Sequence, residues 1–305
     1  MKSEISIYIK TFWNRIGIPL EAENEMLKVV KTVFSSEGLA QLFLKSKTEL
    51  MYANHNLDEA LAAIGSASKE LNISEYTLHF VFLVYCTDIL FANYDSKQIN
   101  EQVFWDTMED FRCKLLECHE VMGVWGTFVA RWYAGILSMK IIALGRFQYE
   151  ETFFKEDPYK KNGIVVNSGD KVYSLHIPSS GKALDMPSRI VSYRKAYDFF
   201  RCKEKGENLV LVCYSWLLYQ ELETILPSSS NILDFMHDFD IVSTTETESF
   251  DDAWRIFGKH HTMPVEQLPK DTSLRKAIAG HLSAGGKMGH GFGVIVFDGE
   301  KIINK

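Results

Sequence analysis

Proline placement constrains this chain more than any other feature. Only Pro19 precedes Pro158, whereas Pro178, Pro187, Pro227, Pro264 and Pro269 all follow it. Proline lacks a backbone donor and clashes with the preceding helical turn, so it is kept out of helix interiors. The first half is therefore predicted to be helical, and the second to be broken into short elements. Apolar residues recur at three- and four-residue spacing through 21–34, 56–71, 74–92 and 102–118, as in the stripe Ile73, Leu78, Val81 and Phe82. The stretch Asn72 to Glu75 and the region of Asp58 read as helix starts, because short polar side chains cap the free N–H groups of a first turn.

From Gly145 the period changes to two. Arg146, Gln148 and Glu150 alternate with Phe147 and Tyr149, which puts the polar set on one face of a strand and the aromatic pair on the other. Residues 164–166, a turn at 167–170 and residues 171–177 read as a hairpin, with Ser174 and His176 on one side of its second strand. Pro178 to Lys182 breaks that strand, and helical spacing resumes over 187–202 through Ile190, Tyr193, Tyr197 and Phe200. The continuous apolar run 209–213 has the pattern of a strand buried on both faces. Helices are expected over 215–226, 231–236, 251–258 and 273–284, and strands over 239–243 and 294–297. The fold class is α+β: a helical N-terminal domain, residues 1–140, then a mixed, mainly antiparallel α/β domain, residues 141–305.

Composition narrows the function classes. With 305 residues and 46% apolar content the chain can bury a sizeable core, and a disordered or collagen-like protein is excluded. A net charge of -7 argues against a phosphate-backbone binder, so no nucleic-acid partner is expected. The five cysteines are scattered without a CxxC pair, which points to reduced thiols, a cytoplasmic protein and no metal site. Residues 1–10 lack the apolar core of a secretory signal. Segments 76–87 and 121–139 read as core helices, the first too short to span a bilayer and the second interrupted by Arg131; no membrane partner is expected.

Several segments can carry chemistry. Ser179, Ser180, Gly181 and Lys182 stand between a strand and a helix, where backbone N–H groups and an ammonium can meet a phosphate or simply form a turn. Ser215 follows an apolar strand, either as a functional hydroxyl or as the cap of a helix in which Trp216 packs; no GxSxG elbow surrounds it. His176 ends an interior strand. His260 and His261 lack a third ligand at metal-like spacing, and the glycine-rich run 285–293 precedes a strand, so it reads as a flexible or close-packed turn and not as a dinucleotide loop.

Five phrases then occur in order: LGRFQYE at 144–150, LHIPSSG at 175–181, CYSWLL at 213–218, SNI at 230–232 and LPKDTSL at 268–274. Together they resemble the acyltransferase-domain family of bacterial proteins, which have a helical N-acyltransferase N-terminal domain and a GNAT-like C-terminal domain. The resemblance implies an acyl-CoA or acetyl-CoA cosubstrate and a sheet that splays to receive the pantetheine arm. It also implies transfer of the acyl group to a small amine by direct attack. In that frame 172–177 precedes the pyrophosphate loop, 187–202 is the helix after it, and 209–213 is the partner strand. The family's Arg/Gln-x-x-Gly-x-Gly/Ala loop is replaced here by Pro178 to Ala183. His176 or Glu150 would take the amine proton, and Ser215 or Tyr219 would supply one to the departing sulfur. Ser179, Ser180, Gly181 and Lys182 would hold the cofactor, and Arg146, Gln148 and Trp216 the acceptor. The competing reading is a noncatalytic GNAT-like module that binds a small ligand or a partner protein.

Overall fold

The computed structural model describes residues 2–52 and 56–305. The chain divides into two compact units, Met1–Ile142 and Ala143–Lys305. The first contains helices α1 (Lys2–Ile16), α2 (Leu20–Ser35), α3 (Glu37–Tyr52), α4 (Leu57–Gly65), α5 (Ser68–Leu71), α6 (Glu75–Ser96), α7 (Glu101–Met122) and α8 (Tyr133–Leu137). Asn56, Ser74 and Asn100 cap α4, α6 and α7, each side chain accepting from the backbone N–H two residues on. Asn72 is no N-cap; it takes a left-handed conformation and ends α5.

Helix α6 organises this unit. Phe80, Val81, Phe82, Leu83 and Val84 are all wholly buried, so Leu78, Val81 and Phe82 of the stripe read from sequence belong to a helix whose middle is enclosed on every side, while Ile73 precedes it. Edge-on ring contacts hold it: Phe34–Tyr85 at 5.1 Å, Phe43–Phe82 at 5.8 Å and Phe80–Phe111 at 5.7 Å between centroids. By length and composition α6 is apolar enough to cross a membrane; its neighbours α1, α2, α3, α4, α7 and α8 cover it instead.

The second unit is built on a sheet. Its strands are β1 (Ile141–Leu144), whose first two residues fall in the first unit, β2 (Phe147–Phe153), β5 (Lys171–His176), β6 (Leu209–Ser215), β7 (Asp240–Glu246) and β8 (Gly289–Phe297), while β3 (Tyr159–Lys161) and β4 (Ile164–Val166) form a separate pair. The six-stranded order is β1-β2-β5-β6-β8-β7. Helices α9 (Met186–Phe199), α10 (Cys202–Lys205), α11 (Leu222–Ile225), α12 (Asn231–Met236), α13 (Ala253–Phe257) and α14 (Ser273–Ser283) complete it. Strand β2 pairs antiparallel with β5, β6 with β8, and β7 with β8; β5 and β6 run parallel.

Three expectations are corrected here. The hairpin is β3–β4, not 164–166 with 171–177, because Asn162 and Gly163 both take positive φ and make the tight turn. The turn at 167–170 passes between two sheets, with β5 pairing to β2. The helix expected over 215–226 is a 3-10 turn, Trp216–Leu218, separated from α11 by the extended backbone of Tyr219. The run 285–293 is no turn at its end, since β8 begins at Gly289.

The β3–β4 hairpin is tied to the sheet through polar groups. Tyr159 Oη donates to Asp240 at 2.9 Å, Lys161 to the same carboxylate at 2.7 Å, and buried Asn304 donates to Tyr159 Oη at 2.9 Å. Burial, and the carboxylate it donates to, push the Tyr159 phenol up to about 12. Tyr159→Phe should therefore lower the stability of the second unit by about 1 to 2 kcal/mol at pH 8. A phenol whose folded value is raised stabilises fully below about 10 and loses that contribution as pH climbs towards the folded value. Denaturant unfolding at pH 8 and pH 11.5 should thus show the gap between wild type and Tyr159→Phe shrinking at the higher pH.

Candidate functional site

The β2–β5 register sets one polar face. Gln148 lies opposite His176 and Glu150 opposite Ser174, so these four side chains share a side of the sheet. The alternate residues face α9: Phe147 stacks on Tyr193 at 5.7 Å, and Tyr149 Oη meets Ser192 Oγ at 2.9 Å. On the polar face His176 Nε2 lies 3.1 Å from Glu150 Oε2, both side chains partly exposed. A carboxylate only accepts, so in this contact Nε2 is the donor. The sequence-derived pair His176 and Glu150 is brought together.

The parallel register pairs Tyr173 with Leu211 and Ser174 with Val212. Among the described residues no pairing extends it to Leu175 or Cys213. Counting on in register, His176 and Tyr214 fall on the same face, at the ends of two strands that have stopped pairing. Tyr214 is 62% exposed.

Other expected residues lie elsewhere. Ser215 is on the opposite side of β6 from Tyr214, where its Oγ accepts from the Leu217 N–H at 3.2 Å as the cap of the 3-10 turn. Trp216 is buried and meets Phe250 edge-on at 6.2 Å. Tyr219 is buried, burial pushes its phenol up, and its ring packs behind Gly289. Gln148 is 2% exposed and cannot offer a surface to an acceptor. Arg146 sits in the β1–β2 turn, not in a strand, and its buried guanidinium donates to the carbonyls of Ala183 and Pro178, each at 3.1 Å. It braces the loop instead of meeting an acceptor.

Ser179, Gly181 and Lys182 are exposed on that loop, Ser180 is half-buried, and the Lys182 N–H donates to Ser180 Oγ at 3.3 Å. Gly181 has φ +72°. Asp185 caps α9 by accepting from the Ser188 N–H at 3.0 Å, and that bond holds its carboxyl below the usual range. The start of α9 thus already carries an anion.

Sequence reasoning missed a second histidine–carboxylate pair. His290 Nε2 lies 3.0 Å from Asp252 Oδ2, and its ring stacks on Tyr214 with 5.0 Å between centroids and 13° between planes. His290 Nδ1 is buried and has no partner among the described residues. The signal was the alternation in 289–293: glycines on one face of β8, His290 and Phe292 on the other. A Cβ on Gly291 would overlap the Leu218 carbonyl, and one on Gly289 the Thr245 carbonyl. The glycines let the chain cross β8 closely, while His290 reaches the polar face. Cys213, beside the opening, is buried with its thiol pushed up to about 12, which leaves it no thiolate character at neutral pH. Among the described residues no group of His, Cys, Asp and Glu forms a metal site.

The profile of the GNAT-like C-terminal domain matches residues 141–295, and that of the N-acyltransferase N-terminal domain matches 8–139. No curated protein matches significantly. Among solved structures, a mutant acyltransferase bound to octanoyl-CoA is similar with a TM-score of 0.75 and 18% identity, over 94% of this chain and 87% of that one. An acyltransferase with decanoyl-CoA and teicoplanin gives 0.72 and 18%, over 93% and 86%. An acyltransferase with decanoyl-CoA gives 0.71 and 20%, over 94% and 87%. At these identities the likeness is one of fold.

The glycine alternation makes a direct prediction. Gly291→Ala should cost about 1 to 3 kcal/mol, the range for forcing extra volume into a packed site, because the carbonyl it meets belongs to the main chain. Gly285→Ala is a poor control because its φ is positive; Gly280→Ala, in α14 with nothing near its Cβ, should be neutral or stabilising. Thermal unfolding of the two variants measures the difference.

Proposed function

Because the chain belongs to the family in which an N-acyltransferase N-terminal domain precedes a GNAT-like C-terminal domain, we propose that it moves an acyl group from acyl-CoA to the amine of a small acceptor by direct attack. The carrying observation is the His176–Glu150 pair beside the point where β5 and β6 stop pairing. Pantetheine is an extended chain with two amides, and the facing edges of two parted strands suit it as a third strand would. The similar acyltransferases holding octanoyl-CoA and decanoyl-CoA support the donor class, and the one holding teicoplanin supports an acceptor larger than the thioester's own acyl group.

In this reading the neutral amine nitrogen attacks the thioester carbonyl and forms the C–N bond. Its proton passes to the imidazole of His176, and Glu150 stabilises the imidazolium that forms. When the C–S bond breaks, the sulfur takes the proton of the Tyr214 hydroxyl, and the Tyr214 phenolate and His176 imidazolium are reset through solvent. His290, held by Asp252, fixes the Tyr214 ring by stacking. Tyr214 replaces Ser215 and Tyr219 as the donor because it shares the face of His176. The inert thiol of Cys213 disfavours an acyl-cysteine intermediate and supports direct attack. The replaced loop motif at Pro178 to Ala183 favours the second reading, a noncatalytic module.

Calorimetry with acetyl-CoA, octanoyl-CoA and decanoyl-CoA separates the two readings; absence of binding to all three leaves only the noncatalytic module. Where binding and turnover are found, His176→Gln should lower kcat by about a hundred- to ten-thousandfold with acyl-CoA affinity nearly unchanged.

Tyr214→Phe should be slow with acyl-CoA, whose thiol is a poor leaving group, and close to wild type with an acyl-thiophenol ester, whose thiolate leaves without a proton. Equal losses with both thioesters would remove Tyr214 from the donor role.

A further inference from the structure

The loop between β5 and α9 has no regular secondary structure, yet its carbonyls are firmly held. Arg146, reaching in from the β1–β2 turn, donates Nη1 to the Pro178 carbonyl and Nε to the Ala183 carbonyl, both at 3.1 Å. It staples the two ends of the loop with one planar fork. Arg189, wholly buried, donates Nη1 to the Leu184 carbonyl at 2.7 Å. That guanidinium is itself fixed, by Asp238 at 2.6 and 3.1 Å and by Asp234 at 2.8 Å. Ser188 Oγ adds a second donor to the Ala183 carbonyl, at 3.0 Å.

In a planar trans peptide the N–H of one residue points opposite to the carbonyl of the residue before it. Capturing the carbonyls of Pro178, Ala183 and Leu184 therefore turns the amides of Ser179, Leu184 and Asp185 away from the two arginines. Those of Ser179 and Leu184 donate to no protein acceptor among the described residues. The start of α9 cannot take the same task, since the Asp185 carboxylate occupies it. Main-chain amides left facing outward at the two ends of the loop can donate to phosphate oxygens without a glycine-rich motif.

We propose that Arg146 and Arg189 are positioning residues for the donor's diphosphate: by holding three loop carbonyls inward they aim the amides flanking Ser179 to Ala183 at the diphosphate of acyl-CoA. This rests on the acyltransferase reading above and adds to it how a loop without the family's glycine motif does the motif's work. Neither arginine touches the ligand. Lysine in place of Arg146 keeps the charge and loses the fork, because an ammonium is a point donor and not a planar pair.

The test compares octanoyl-CoA with octanoyl-pantetheine, which has the same thioester and no diphosphate. In Arg146→Lys, KM for octanoyl-CoA should rise about tenfold to a hundredfold, the scale of one or two charged hydrogen bonds. Its kcat should stay within about twofold, and KM for octanoyl-pantetheine should be unchanged. A merely structural arginine would impair both donors in parallel, and that result, or an unchanged KM for octanoyl-CoA, overturns the proposal. Arg146→Gln, which also lacks the fork, serves where the lysine variant fails to fold. If the wild type turns over neither donor, the acyltransferase reading fails by itself. Calorimetry with CoA then decides the brace, at least tenfold weaker binding by the variant supporting it, and equal binding or none by the wild type overturning it.

Discussion

Parallel pairing between β5 and β6 stops after Ser174 and Val212, and the chemistry open to the second unit depends on that interruption. Strand β5 is paired to β2 from Lys171 to His176, and β6 to β8 from Leu209 to Ser215. Each strand is thus held along its outer edge to its last residue. Closing the opening would require breaking one of those ladders, and main-chain groups in a protein interior are not left without partners at low cost. A gap secured from both sides is a fixed feature. It presents main-chain edges to an extended ligand at the same end of the sheet where His176 and Tyr214 share a face.

Buried charge serves the scaffold around this gap. Arg189 is a fully buried cation, and its five donors reach Asp238, Asp234 and the Leu184 carbonyl. Tyr193, also wholly buried, donates to Asp238 at 2.8 Å and stacks on Phe147 of β2. Helix α9, strand β2 and the end of α12 are therefore linked through one carboxylate. Removing Arg189 would leave the buried Asp238 carboxylate without its counter-charge, which costs far more than an exposed ion pair contributes. The loop over α9 inherits its rigidity from this network.

Much of this was legible in the sequence. Proline asymmetry and helical spacing located the helical half, and the switch to a period of two placed Gln148 and Glu150 on the face that His176 shares. Local signals failed where tertiary contacts decide. The Asn162-Gly163 turn outranked the one at 167–170, because two residues at positive φ match the twist of a hairpin, and β5 was left to pair with a strand distant in sequence. Arg146 and Trp216 have the side chains of ligand-binding residues, and nothing local reveals that one braces a loop and the other is buried beside Phe250. Tyr214 was overlooked beside Ser215 because strand phase at the end of β6, not residue type, determines which of them reaches the polar face. His290 was hidden by its glycines, which looked like a flexible run until the backbone of Leu218 and Thr245 gave each a reason to lack a side chain.

The two histidine–carboxylate pairs on one face lie in different surroundings. His176 is 26% exposed at the mouth of the opening, with the Glu150 carboxylate 3.1 Å from its Nε2. His290 is half as exposed, at 14%, and its Nδ1 is enclosed without a partner among the described residues. Its flat ring, steered by Asp252 through Nε2, is well suited to lie parallel to Tyr214 and restrict the rotation of an exposed phenol. In the proposed mechanism the same side chain type takes a proton on β5 and orients a donor on β8.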